Sequence, residues 1–194
     1  MFVFTQKSED GRCAIADTIR ASADIHRGQF GEKHTLGEPF VTGWQVAAEE
    51  LIPAIGSIPR HFRAAHREDG ECIIIIYAHT TAAGMFAFGT SGVSINLVLA
   101  ACQCVARCKI TLLLGCNTTS VVRSFGGALS QFVISFVGPI AYDHLTFFAA
   151  QFFNALRDFE IGYPVLCHRV KVENAIVAAY TSEINELDVE LFPK

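Results

Sequence analysis

Apolar positions follow two rhythms along this chain. Short, nearly continuous runs at residues 2–5, 72–78, 109–115 and 132–137 carry β-branched, Leu and Phe side chains. Runs of that length read as strands buried on both faces. Between them apolar residues recur at helical spacing. Ile15, Ile19, Ala23 and His26 predict a helix over 11–27. Trp44, Ala47, Ala48 and Leu51 predict another over 42–55, N-capped by Thr42. Pro53 and Pro59 predict a break and then a second short helix towards Ala65. Further helices are predicted over 94–105, capped by Ser94, over 118–131 with a Thr/Ser-rich first turn, over 142–158 and over 172–185. Leu145, Phe148, Phe152, Phe153 and Leu156 form a broad apolar face on the 142–158 helix. Residues 28–37 read as a loop, 39–42 as a short strand and 67–70 as a charged turn. Residues 79–84 read as a small-residue loop and 85–89 as an extended ribbon at the sheet's end. Gly138-Pro139 ends the 132–137 strand, 163–170 is a strand or extended loop, and 187–194 is a tail. Strands alternating with helices of these lengths predict a mostly parallel α/β sheet.

Two of the runs end on reactive residue types. Residues 72–78 lead into His79, and 109–115 lead into Cys116. If these strands are parallel neighbours, the 94–105 helix belongs to the crossover and both residues leave the sheet at its C-terminal edge. Neighbouring strands lie roughly 5 Å apart, within reach of an imidazole and a thiol. Open α/β sheets bind ligands at that edge.

Composition narrows the picture. A chain of 194 residues with half its residues hydrophobic, 16 of them Phe, is most simply one domain with a sizeable core. A net charge of −4 and the lack of a basic patch argue against nucleic acid as a partner. Seven cysteines, without disulfide-framework spacing and without a leader sequence, read as free thiols in a cytoplasmic, reducing compartment. Residues 72–106 hold no Asp, Glu, Lys or Arg, but Gly, Thr, Ser, Asn, Gln and His79 interrupt them, so no membrane span is expected.

Other chemistries find less support. Cys102 and Cys104 point to different helix faces, and no second ligand pair at zinc spacing accompanies them and Cys108. They read as buried thiols. Cys167 and His168 are adjacent, so in an extended segment they face opposite ways. Residues 89–92 (GTSG) lack the spacing of a serine nucleophile elbow, and no phosphate-binding glycine loop occurs. Neither the 2–5 nor the 72–78 run ends in the acidic residues that a cation-binding phosphoacceptor site needs.

The segments 73–84 (IIIIYAHTTAAG) and 110–119 (ITLLLGCNTT) resemble the caspase-like cysteine peptidases, and within them the CHAT group of separase-like and bacterial caspase-like proteins. The similarity continues through the helix at 121–129, the strand at 132–137, Asp143 with its Phe/Ala-rich helix, and the Ala-rich segment 174–180. It spans about residues 70–182, while residues 1–70 fit by general pattern. It implies one caspase-like domain over 1–194, a three-layer α/β/α sandwich with a mostly parallel central sheet. It implies a cysteine endopeptidase that needs no cofactor or metal, acts on a peptide or protein substrate, and works with a regulatory protein partner.

The resemblance also implies residue roles. Cys116 is the nucleophile and His79 its general base, and the backbone N–H groups of Thr80 and Cys116 form the oxyanion hole. The chemistry agrees: a nearby imidazole activates a thiol. A helix starting near Thr118 favours a thiolate at its N-terminal end, and N–H groups there stabilise an oxyanion. Asp143 selects a basic substrate residue or caps its helix, the cap being the favoured reading. The family has Gly after the catalytic His, where this chain has Thr80. A β-branched residue restricts the backbone there. Thr80 favours a second reading, an inactive homologue used as a binding or scaffold module, and a third reading is a flavodoxin-like domain for a small ligand.

Overall fold

The computed structural model describes residues 1–7, 13–30, 41–64, 71–180 and 188–193, with backbone alone at 23–30 and 62–64. The element order is β1 (Phe2–Gln6), α1 (Ala14–Phe30), β2 (Thr42–Val46), α2 (Ala48–Ala64), β3 (Cys72–Tyr77), β4 (His79–Thr80), β5 (Met85–Phe88), β6 (Ser91–Ser94), α3 (Ile95–Gln103), β7 (Cys108–Leu114), α4 (Thr118–Ser124), β8 (Phe132–Val137), α5 (Tyr142–Gly162), α6 (His168–Ala179) and β9 (Asp188–Phe192). Among the described residues the chain is thus mixed α/β. It carries a six-stranded, mostly parallel sheet and a three-stranded antiparallel one. The loop expected over 31–37, the start of the 39–42 strand, the 67–70 turn and the end of the 172–185 helix lie outside the described residues.

The chain gathers into two compact units. The first holds Met1–Cys13, Thr42–Pro139 and Asp188–Lys194, and contains both sheets. Its large sheet runs β2-β1-β3-β7-β8-β9, parallel except for β9. One sheet face carries Phe2, Phe4, Ile74, Ile76, Leu113 and Val133. Leu51, Ile55 and Ile58 of α2 and Ile95, Val98, Leu99 and Cys102 of α3 pack into the same core, at the i, i+3/i+4, i+7 spacing of an amphipathic helix. The large sheet's ordering follows from burial: strands with apolar residues on both faces occupy its centre.

Four expectations fail here, the first three where a long-range contact overrides a local pattern. The helix expected over 42–55 begins at Ala48, and Thr42–Val46 is instead an edge strand parallel to β1. On that strand Trp44 meets Phe4 edge-on at 5.2 Å and His61 of α2 at 4.6 Å. The helix start is held by Glu50, whose carboxylate accepts the Ala47 N–H at 2.8 Å. Pro53 and Pro59 do not break α2. Each removes one helical hydrogen bond, but Leu51, Ile55 and Ile58 are fully buried across them. The expected tail contains β9, zipped antiparallel onto β8 from Val133↔Phe192 to Val137↔Asp188. Arg123 of α4 adds an ion pair to Glu190 of that strand. Finally, Ser94 stands at the N-cap of α3 but its side chain makes no capping bond.

The second unit holds Ala14–Val41 and Ile140–Leu187, and α5 packs against both α1 and α6. Helix α1 starts at Ala14 and runs on to Phe30, through the first residues expected to be loop. Asn154 of α5 donates to the Ser22 hydroxyl of α1 at 2.8 Å. The segment expected over 163–170 as a strand or an extended loop contains a turn and then the start of α6 at His168. The first turn of α6 joins a charged cluster: Lys171, almost fully buried, donates to Glu160 at 2.9 Å, and His168 Nδ1 lies 3.2 Å from the same carboxylate. Among the described residues no helix is long and apolar enough to cross a membrane.

That cluster makes acid stability testable. Burial works to raise the Glu160 carboxyl, but the hydrogen bonds and charges of Lys171 and His168 outweigh it and hold the group below its usual range. A depressed carboxyl contributes stability above its unfolded pKa and loses it as pH falls through the folded value. Glu160→Gln is expected to melt below wild type at pH 7, with the gap closing from about pH 5 downward. Thermal melts across pH read this directly, and a gap that widens towards acid would contradict it.

Candidate active site

Strands β3 and β7 are parallel neighbours in register from Ile73↔Ile110 to Tyr77↔Leu114. One residue further the Ala78 N–H still donates to the Leu114 carbonyl, at 3.2 Å. The two chains then part at the C-terminal edge. His79–Thr80 becomes β4, paired antiparallel with β5 through His79↔Ala87 and Thr80↔Phe86. The start of the expected 79–84 loop is therefore a strand, and the ribbon expected over 85–89 is β5 of the small sheet. Phe86 and Phe88 alternate inward along β5 and are buried. Gly89, at φ +66°, opens the two-residue turn into β6.

The residues flanking His79 both reach the segment that carries Cys116. A Cβ on Gly115 would lie 2.8 Å from the Ala78 carbonyl oxygen and 2.8 Å from Thr80 Cγ2. The Thr80 hydroxyl donates to the Cys116 carbonyl. His79 is exposed and Cys116 half-buried. The sequence-predicted pair thus emerges at one sheet edge, held there by its neighbours on both strands.

The turn around Cys116 is pinned from below and from the side. Thr118, fully buried, accepts the Phe136 N–H at 3.0 Å and shares its one hydroxyl hydrogen between the carbonyls of Leu113 and Gly115, 3.3 Å from each. The Thr119 and Ser135 hydroxyls share a hydrogen bond of 2.8 Å. Asn117 adopts the left-handed conformation at φ 54°, which Asn tolerates better than most residues. Its N–H donates to the Gly138 carbonyl at 3.0 Å, and its side-chain oxygen accepts the Gly138 N–H at 2.9 Å. Helix α4 ends at Ser124 rather than at 131, before the pair Gly126-Gly127, so it has two turns and no side-chain cap. Its dipole is correspondingly short, and any oxyanion binding rests on individual N–H groups.

Thr80 itself is in ordinary extended backbone: among the described residues the non-glycine positions with positive φ are Arg107 and Asn117. A β-branched residue fits there without strain. The Thr81 N–H donates to Met85 at 2.8 Å. Ladder bonds alternate along an antiparallel pair, so the Thr80 N–H points away from β5.

No family model matches this chain, and no curated protein does.

Asp143 is exposed in the first turn of α5 in the second unit, and the N-cap is Ala141, so the capping role expected for Asp143 is not made. Cys167 is the exposed N-cap residue of α6 rather than part of a strand. Of the three neighbouring cysteines, Cys102 and Cys108 are buried as expected, but Cys104 is exposed. Burial pushes the Cys102 thiol up to about 12. Cys108 faces its register mate Cys72, and a hydrogen bond between them together with burial keeps the Cys108 thiol protonated. Among the described residues no three His, Cys, Asp or Glu gather to hold a metal ion. Gly115, Asn117 and Thr118 stand in the sequence as part of the 110–119 segment and of a helix start, and their roles as supports of the Cys116 turn are not readable there. A glycine between an apolar strand and a cysteine was the available signal, since it marks close backbone approach.

Proposed function

We propose that the chain is a caspase-like domain, a three-layer α/β/α sandwich, acting as a cysteine endopeptidase through Cys116 and His79. The observation that carries this reading is the Thr80–Cys116 hydrogen bond between the ends of two adjacent parallel strands. It ties the residue after the imidazole to the residue bearing the thiol. In this reading the thiol proton passes to His79 as sulfur attacks the scissile carbonyl carbon. The oxyanion accepts from the backbone N–H groups of Thr80 and Cys116. His79 then protonates the leaving amine, and water hydrolyses the thioester. The half-buried thiol and exposed imidazole suit a peptide strand laid across the edge. The extended backbone at Thr80 supports activity, because the glycine of the family is not required by this conformation. A regulatory protein partner and a cytoplasmic location belong to the same proposal.

The test is labelling by an electrophilic peptide ketone, read by mass spectrometry. Selective capture of Cys116 is expected, falling roughly tenfold or more in His79→Ala. The exposed Cys104 and Cys167 report non-specific reaction in the same sample. Labelling of all three at equal rates would leave a non-catalytic binding module as the better reading.

A further inference from the structure

We propose that Thr80 is a positioning residue for Cys116, so that the departure from the family's glycine is a working part of this site. The inference rests on the reading of Cys116 and His79 as a reactive pair. The peptide unit between Cys116 and Asn117 is gripped at both ends: its carbonyl accepts from the Thr80 hydroxyl, and its N–H donates to the Gly138 carbonyl at 3.0 Å. The preceding peptide is held too, because the Gly115 carbonyl accepts from Thr118 at 3.3 Å. With the planes on both sides of the Cys116 Cα fixed, its Cα–Cβ direction is fixed.

Thr80 is the member of this set that comes from the His79 strand. Its methyl group lies over Gly115, where a Cβ would come within 2.8 Å. Its hydroxyl reaches the next carbonyl along. One side chain therefore sets the spacing between β4 and the cysteine turn by contact and its orientation by a hydrogen bond. Glycine offers neither, and valine offers the contact alone. Serine keeps the hydroxyl.

The experiment measures Cys116 alkylation by iodoacetamide at pH 7 in wild type, Thr80→Ser, Thr80→Val and Thr80→Gly, each with and without His79→Ala. Cys104 serves as the internal reference, and thermal melts confirm folding. Thr80→Ser is expected to stay within about twofold of wild type, while Thr80→Val and Thr80→Gly lose roughly three- to tenfold. The His79-dependent part of the rate should shrink in those two variants while the Cys104 rate stays constant, which a general loss of structure would not produce. Thr80→Gly reacting as fast as wild type, with its His79 dependence intact, overturns the proposal alone. Equal rates in wild type and His79→Ala overturn the reading of the pair, and this proposal with it.

Discussion

Phe86→Ala is expected to destabilise the protein by about 3–5 kcal/mol, the range for removing a fully buried aromatic ring. The ring has no solvent exposure and belongs to the core shared by the large sheet, α2 and α3. It also supports the site, since its Cε1 lies 3.2 Å from where a Cβ on Gly115 would stand. Phe86 is the cross-strand partner of Thr80, so the cavity opens beneath the strand that carries His79. Urea denaturation should show a lower midpoint with an unchanged slope, and peptide-probe labelling of Cys116 should fall with it. Leu97→Ala is the control: Leu97 is 61% exposed on α3 and should change stability by less than about 0.5 kcal/mol. A Phe86→Ala loss no larger than the control's would mean that the small sheet does not share the core.

Gly115→Ala is the second large effect. Its added Cβ would meet the Ala78 carbonyl oxygen and Thr80 Cγ2, each at 2.8 Å. The Thr80 methyl can turn aside. The Ala78 carbonyl belongs to the chain leaving β3 in register with β7, and moving it strains both strands. A cost of about 1–3 kcal/mol is expected for overpacking of this kind, with Cys116 displaced and its probe labelling lost. Adding Thr80→Ser removes one of the two contacts and should restore only part of the stability. Full recovery in the double variant would show that the side chain, not the carbonyl, sets the close approach.

Particular residues show where sequence reasoning reached and where it stopped. The strands around His79 and Cys116 were readable because Ile73–Ile76 and Leu112–Leu114 are apolar without interruption, as central parallel strands are. Their order along the chain then required a crossover, which put both reactive residues at one edge. The segment Thr42–Val46 misled because its apolar spacing over one turn suits a helix as well as a strand. Pairing with β1 decided it. Asp188–Phe192 carries alternating charges, and only β8 makes it a strand. Helix α4 was expected to be longer because Thr118–Ser124 has no stop signal of its own, and the glycines after it end the pattern.

The sequence by itself determined the kind of protein: a mixed α/β chain with a mostly parallel sheet and a cysteine and a histidine at adjacent strand ends. Those features depend on local pattern and chain order, which are written residue by residue. Only the tertiary structure decided how the cysteine is held. Thr80 and Cys116 are separated by 36 positions, and Asn117 and Gly138 by 21. Hydrogen bonds across such distances leave no periodicity to read. They exist because the register of β3, β7 and β8 brings those backbones together, and the same register puts the Thr80 side chain in contact with the cysteine turn.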